Sequence, residues 1–282
     1  MPIFKVYSYM MPDGRLSLSS HMTDLLASGR VSFTRDEAIA ALSVTPRGFL
    51  AAAERLQHKG ALLNPRHGFY VVVPPQYLAR GAPPPPWYVD DLMKHEGHPY
   101  YVGLLKAAEL HGATHQAVMQ FQIVTDKRIP KIRAGRSILS FFYRRDMQAV
   151  SSAISDHKTD TGRMKLSSPE LTGLDLLRYA HAAGTIDSIA TVLSDLGAKM
   201  KALPLQKLAP AFERSVIQRL GYLLDYVKHS EAVEGLHAYL QKEKALPWVE
   251  LDPAKRASKS SEPAERNARW NVIVHRRPEL DQ

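Results

Sequence analysis

An acid-x-lysine spacing, Asp156-His157-Lys158, with Asp146 upstream as a second acid, is the pattern in this chain that most resembles a catalytic one. Two carboxylates can hold Mg²⁺ while a lysine orients the attacking water, which is the layout of a metal-dependent nuclease. Three-residue matches arise easily by chance, and Asp160-Thr161-Gly162 just beyond reads as a turn, so Asp156 is expected near a hairpin end. His111 and His115 have helical spacing for a metal pair, but Gly112 lies between them and no glutamate sits beside either. A core or hydrogen-bonding role is the expectation for them. No P-loop, G-x-G-x-x-G, G-x-S-x-G or H-E-x-x-H occurs. The absence of cysteine excludes disulfides, Cys-ligated zinc and thiol catalysis in this sequence. The expectation is a non-enzyme with no cofactor and no metal.

Contact with a polyanion is the chemistry the residues favour instead. Lys and Arg total 37 against 28 Asp and Glu, a net charge of +9, although charge alone does not separate DNA from RNA or membrane. Between Thr45 and Lys59, Phe49, Ala53 and Leu56 fall on one helix face. Arg47, Ala51 and Arg55 fall on the other, flanked by Gly48, Ala52 and Lys59. Small residues let a helix approach a DNA groove, and arginines reach guanine edges or phosphates.

The elements that must position this face are legible around it. Leu18 to Ala27 carries apolar residues at helical spacing and ends at Gly29. Thr34-Arg35-Asp36-Glu37 is a capping box, with Phe33 and Ala38 as its hydrophobic staple, opening a helix that buries Ala38, Ile39 and Leu42. After a tight Ser43-Val44 connection, Thr45-Pro46 supplies an N-cap and a proline at the first helical position, and Gly60 stops the helix. Ala61-Leu62-Leu63 and Phe69 to Val73 then read as strands joined by the turn Asn64 to Gly68. A hairpin directly after a recognition helix is the wing of a winged helix-turn-helix. Thr45, Arg47, Gly48, Arg55 and Lys59, with Arg66 and His67 at the wing tip, are the expected DNA contacts. The competing assignment is a three-helix domain whose hairpin serves protein contacts.

Pro83 to Pro86 favour a semi-rigid spacer, so residues 1–80 are expected as the DNA reader, 81–87 as linker and 88–282 as a larger mixed α/β domain. In the latter, Tyr100 to His111 reads as a helix, Val118 to Thr125 as a half-buried strand, and Ile138 to Tyr143 and Met164 to Leu166 as further strands. Ser167-Ser168-Pro169-Glu170 opens a capped helix, and helices follow at Ile186 to Leu196, Leu205 to Phe212, Glu213 to Val227 and Val233 to Lys242. Strands early and helices late make the chain α+β. The stretch near 253–265 reads as a flexible excursion, after which Trp270 to Val274 returns to a sheet. Lys127, Arg128, Lys131, Arg133, Arg136, Arg144 and Arg145 form the densest basic segment, either a second polyanion surface or a sheet edge blunted by charge. No signal-peptide pattern opens the sequence and no apolar run spans a bilayer, so a soluble, cytoplasmic protein is expected.

Tyr100-Tyr101-Val102-Gly103-Leu104-Leu105-Lys106-Ala107-Ala108-Glu109-Leu110-His111-Gly112-Ala113-Thr114-His115-Gln116 resembles a signature of the AbiEi family, antitoxins of type IV toxin–antitoxin systems known from abortive phage infection. Ser167 to Thr172 and Arg269 to Val274 are similar to that family too. The resemblance implies an N-terminal winged helix that represses its own operon at inverted repeats, and a C-terminal domain that supplies antitoxicity. It further implies a nucleotidyltransferase-like toxin opposed without a stable complex, and a monomer that binds promoter DNA cooperatively. No catalytic residue carries over. About fifteen residues before the first helix depart from the family pattern. Outside that family, the alternatives are a protein-interaction module and the metal-dependent nuclease.

Overall fold

The computed structural model describes residues 17–114, 118–242, 245–252 and 264–280. Residues 1–16, His115 and Gln116 of the quoted signature, and 253–263 of the expected excursion lie outside these. The described chain is α+β and divides into two compact units. One takes the residues up to Pro99 with Pro130–Ser140 and His157–Met164. The other takes Tyr100–Ile129, Phe141–Asp156 and the chain from Lys165 onward.

In the first unit, α1 (Leu18–Ala27), β1 (Ser32–Thr34), α2 (Arg35–Leu42), α3 (Pro46–His58), β2 (Leu62–Arg66) and β3 (Phe69–Val72) follow one another. Helix starts are fixed by side chains that satisfy free amides. Ser17 accepts from Ser20 N, Thr34 and Glu37 form the full capping box, and Thr45 accepts from Gly48 N with Pro46 in the first turn. Ser43, in the left-handed region at φ 51°, turns the chain from α2 into α3. The strands pair in the order β1-β3-β2. Tyr70 of β3 holds the core together, stacked on Phe33 at 5.6 Å and edge-on to Phe49 at 5.2 Å. β2 extends to Arg66 with an irregularity after Leu63, so Asn64 and Pro65 belong to the strand rather than to the expected turn. The Asn64 amide makes this possible by donating to the carbonyls of Arg66 and Phe69.

The prolines expected to form a spacer are packed. Ala82, Pro83 and Pro85 are buried, Pro85–Trp87 is a 3₁₀ turn, and Tyr77 meets Trp87 edge-on at 5.2 Å. Proline rings are apolar and lack an N–H to satisfy, so a run of them suits such a surface. The turn leads into α4 (Val89–Glu96), whose Val89, Leu92 and Met93 are buried. Gly135 is required here: at φ +56° its Cα faces the backbone of Arg80 and Gly81, and a Cβ would lie 2.3 Å from Arg80 O.

The second unit starts with β4 (Tyr100–Val102) and α5 (Leu104–Leu110), so the helix expected from Tyr100 begins four residues late. Two tyrosines and a valine favour a strand, and Gly103 separates them from the helix formers. In this unit β4 pairs antiparallel with β5 (Gln120–Thr125) and parallel with β9 (Gly162–Ser167), and β8 (Ile154–Thr159) is the edge strand beside β9, whereas β6 (Ile132–Ala134) pairs antiparallel with the start of β7 (Ser137–Tyr143) within the first unit. β5 is buried from Phe121 to Thr125 and is not the half-exposed strand its alternation suggested, because α5 packs on it and the Gln122 amide is satisfied internally, accepting from Lys106 N and donating to the Ala182 carbonyl. The helices are α6 (Pro169–Arg178), α7 (Ala180–Ala183), α8 (Ile186–Leu196), α9 (Ala202–Leu208), α10 (Arg214–Tyr226) and α11 (Ser230–Leu240). Strands β10 (Val249–Glu250), β11 (Glu265–Asn267) and β12 (Val272–Val274) form a small sheet centred on β12. Trp270 is fully buried against Gly221 of α10 and donates its indole N–H to Asp225 at 2.6 Å.

Helix α6 is buried on every side from Glu170 to Leu177. Its Asp175 has no exposure and accepts from Tyr101 Oη at 2.6 Å and from Arg144 Nη1 at 3.3 Å. Arg144, 2% exposed, also donates to the carbonyls of Ala211 and Asp146, and its guanidinium lies over the Phe212 ring at 4.4 Å. Arg144 is therefore an interior residue and not part of the basic surface the sequence suggested. Burial pushes the Asp175 carboxyl up to about 6, against the pull of Arg144. An acid with a native pKa above its unfolded one adds stability below pH 3.8 that is lost as the pH rises through about 6. Removing Arg144 strands this carboxylate and raises its pKa further. Arg144→Leu is thus expected to cost about 3–5 kcal/mol at pH 8 and clearly less at pH 5.5, measured by urea unfolding. An equal cost at the two pH values would show that the carboxyl is not the stranded group.

Candidate nucleic-acid interface

Helix α3 carries the candidate site. Its inner face, Phe49 and Ala53 with Leu56 beside them, is anchored in the core, which leaves the opposite face outward. Arg47, Gly48, Leu50, Ala51, Glu54, Arg55, His58 and Lys59 are exposed. Thr45 is exposed at the helix start, and its hydroxyl is the N-cap, 3.1 Å from Gly48 N. Gly48 leaves room for that cap, since a Cβ there would sit 3.2 Å from Thr45 Oγ1. The first turn thus presents its remaining amides at the end of the helix that favours an anion.

The face is less simply basic than its arginines suggest. Glu54 lies on it, with His58 Nε2 3.8 Å from its carboxylate. Leu50 is 49% exposed. The arginines and small residues mark this face in the sequence, and spacing from Arg47 puts Leu50 and Glu54 on the same strip.

The hairpin tip is tied down. Arg66 Nε donates to Glu96 of α4 at 2.7 Å, and His95 Nε2 donates to the His67 carbonyl at 3.0 Å. Ser32 Oγ donates to Asp91 of the same helix at 2.6 Å. The Arg66 guanidinium is thereby already paired, while the His67 side chain is exposed.

The basic segment is divided between the two units. Lys131, Arg133 and Arg136 are exposed on the β6–β7 hairpin, in the same unit as α3, where Arg136 N donates to Arg80 O at 3.0 Å. Lys127, Arg128 and Arg145 are exposed in the other unit, Arg128 lying 4.9 Å from the Tyr143 ring centre. The nuclease pattern is likewise dispersed into local roles. Asp146 Oδ1 accepts from Ala149 N in a 3₁₀ turn, and Asp156 pairs with Lys165 at 2.8 Å. Among the described residues no His, Asp and Glu cluster could hold a metal ion. His111 Nε2 donates to the Ser167 carbonyl at 2.8 Å, the hydrogen-bonding role expected of it.

Residues 101–226 match the family of the AbiEi antitoxin C-terminal domain. The match is to an antitoxin domain and covers a little under half of the chain. The resemblance carried by Tyr100 to Gln116 is borne out. No curated protein sequence matches the chain. Among solved structures, the Rv2827c protein from Mycobacterium tuberculosis is similar, with a TM-score of 0.66 at 17% identity over 93% of each chain, a likeness of fold. No helix among the described residues is long and apolar enough to cross a membrane.

The Arg66–Glu96 pair generates a test. Arg66→Ala is expected to lower stability by about 1 kcal/mol, as for a partly buried ion pair, and to leave the salt slope of any DNA affinity unchanged. A slope reduced by about one phosphate contact would put Arg66 on DNA instead.

Proposed function

We propose that this chain is a member of the AbiEi family, a DNA-binding autorepressor as well as the antitoxin of a type IV toxin–antitoxin system. The α3 face carries the first part. A helix fits the major groove of B-DNA, and the side chains needed to read it are exposed on the face opposite the core anchor. The order helix, strand, two helices and hairpin supports a winged helix-turn-helix, with α3 as its recognition helix. Arg47 and Arg55 contact bases or phosphates, the α3 N-terminus at Thr45 and Gly48 meets a phosphate, and Lys59 contacts the backbone beyond. Arg66, held by Glu96, stays out of this set. Monomers occupy the inverted repeats of the chain's own promoter cooperatively. Lys131, Arg133 and Arg136 are a second source of phosphate contacts within the same unit.

The match at 101–226 supports the antitoxin part. In this proposal the second unit opposes a nucleotidyltransferase-like toxin without forming a stable complex with it.

Fluorescence anisotropy on the DNA upstream of the chain's own gene, against a scrambled duplex and across a salt series, tests the repressor part. Specific binding at ~150 mM salt with a slope of several phosphate contacts is expected. Arg47→Ala should cost about 1–3 kcal/mol confined to one operator position if it reads a guanine, and a uniform loss if it holds a phosphate. Unchanged affinity in the Arg47→Ala, Arg55→Ala double variant would remove α3 from the interface.

A further inference from the structure

Leu50 is half exposed on α3, and its aliphatic side chain has no group that could hold a phosphate. At 100° per residue it lies about 60° round the helix from Arg47, with Glu54 about 20° away on the same side and Ala51 about 40° on the other. A face built only to grip the DNA backbone would be uniformly cationic. Glu54 would repel phosphates, and a leucine adds nothing to an electrostatic grip. In the major groove, by contrast, each of these side chains has a complementary partner. The thymine 5-methyl is the one apolar group on a base edge, the cytosine amine donates to a carboxylate, and guanine offers an arginine two acceptors. Ala51 is short enough to let the helix come within reach of all three.

Resting on the DNA-reading proposed above, we infer that Leu50 is a specificity-determining residue that packs on the 5-methyl group of a thymine beside the base contacted by Arg47. The contact removes a methyl group and part of a leucine from water. Burying one such carbon is worth about a four-fold change in affinity. The operator half-site is therefore expected to carry a thymine whose methyl, rather than its hydrogen-bonding edge, is recognised.

The test is a two-by-two titration by fluorescence anisotropy. The promoter duplex is prepared once with thymine and once with uracil in its place, which removes only the methyl groups, and each is titrated with the wild-type chain and with Leu50→Ala. Wild type should bind the uracil duplex at least about four-fold more weakly than the thymine duplex. Leu50→Ala should lose a similar factor on thymine DNA, and the two proteins should bind uracil DNA more nearly alike. Being exposed, Leu50 can be changed without opening the core, and an unchanged thermal unfolding midpoint checks this. Equal losses on both duplexes, or no loss on either, overturn the methyl contact while leaving the repressor proposal standing. Failure of the wild-type chain to distinguish the promoter from a scrambled duplex overturns the repressor proposal and this inference with it.

Discussion

A carboxylate with no access to water has to be paired, and Asp175 is the residue around which the second unit is arranged. Its partners come from separate stretches of chain: Tyr101 on β4 and Arg144 just after β7, with Arg144 in turn braced by the carbonyl of Ala211 and the ring of Phe212. For the charge to be satisfied, the first strand of the unit, the end of its longest hairpin strand and the turn before α10 must all arrive at one side of α6. Hydrophobic burial alone would tolerate small slips among these elements, since apolar contacts are non-directional. A 2.6 Å hydrogen bond and a stacked guanidinium do not. All of these residues fall within 101–226, the segment that matches the AbiEi antitoxin domain.

Beyond that segment the chain closes on itself by a second polar anchor. The Trp270 ring fills the space that Gly221 leaves on α10, where a Cβ would lie 2.2 Å from the ring, and Asp225 accepts the indole N–H. Arg269 next to it pairs with Asp225 and Glu234, and Gln218 donates to the carbonyls of Pro247 and Trp270. The first unit uses the same device more lightly, with Ser32–Asp91 and Arg66–Glu96 tying β1 and β2 to α4. In each case the polar pair sets direction, and the surrounding apolar contacts supply most of the stabilisation.

What was legible in the sequence followed from how local the governing interaction is. Helix starts marked by a side-chain cap read correctly because their causes lie within four residues, Thr34 with Glu37, Thr45 with Gly48 and Ser168 with Leu171, whereas the starts of α5, α9 and α11, which have no such cap, were misplaced by three or four residues. The apolar period of Ile186 to Leu196 delivered α8 to the residue. Partners far apart in sequence were not legible. Arg144 looked like one more charge in a basic run, because nothing nearby announces Asp175, 31 positions on. Arg66 looked free at a hairpin tip because Glu96 is 30 positions away. β8, with Ser155, Asp156, His157 and Lys158 in its middle, escaped notice because an edge strand can be polar on both sides. The prolines at 83–86 have the composition of a spacer, and only the residues packed around them make them an internal turn.

Total charge is consequently a poor guide to what this chain recognises. Of the basic residues between 127 and 145, one is buried and another leans on a tyrosine ring, while the face most suited to base recognition includes an acid. That mixture has a physical meaning. A cationic face binds any duplex, and its affinity follows salt rather than sequence. A face holding arginine, leucine and glutamate together gains only where the DNA offers the matching groups and is penalised elsewhere, by an unpaired carboxylate near phosphates or an apolar group over a polar edge. Discrimination of this kind is what repression at a single promoter requires. An antitoxin domain that does not read DNA has no use for it. The two parts of the proposed function therefore place different demands on the chain, and the residues suited to each lie in different segments, α3 on one side and the Asp175-centred domain at 101–226 on the other.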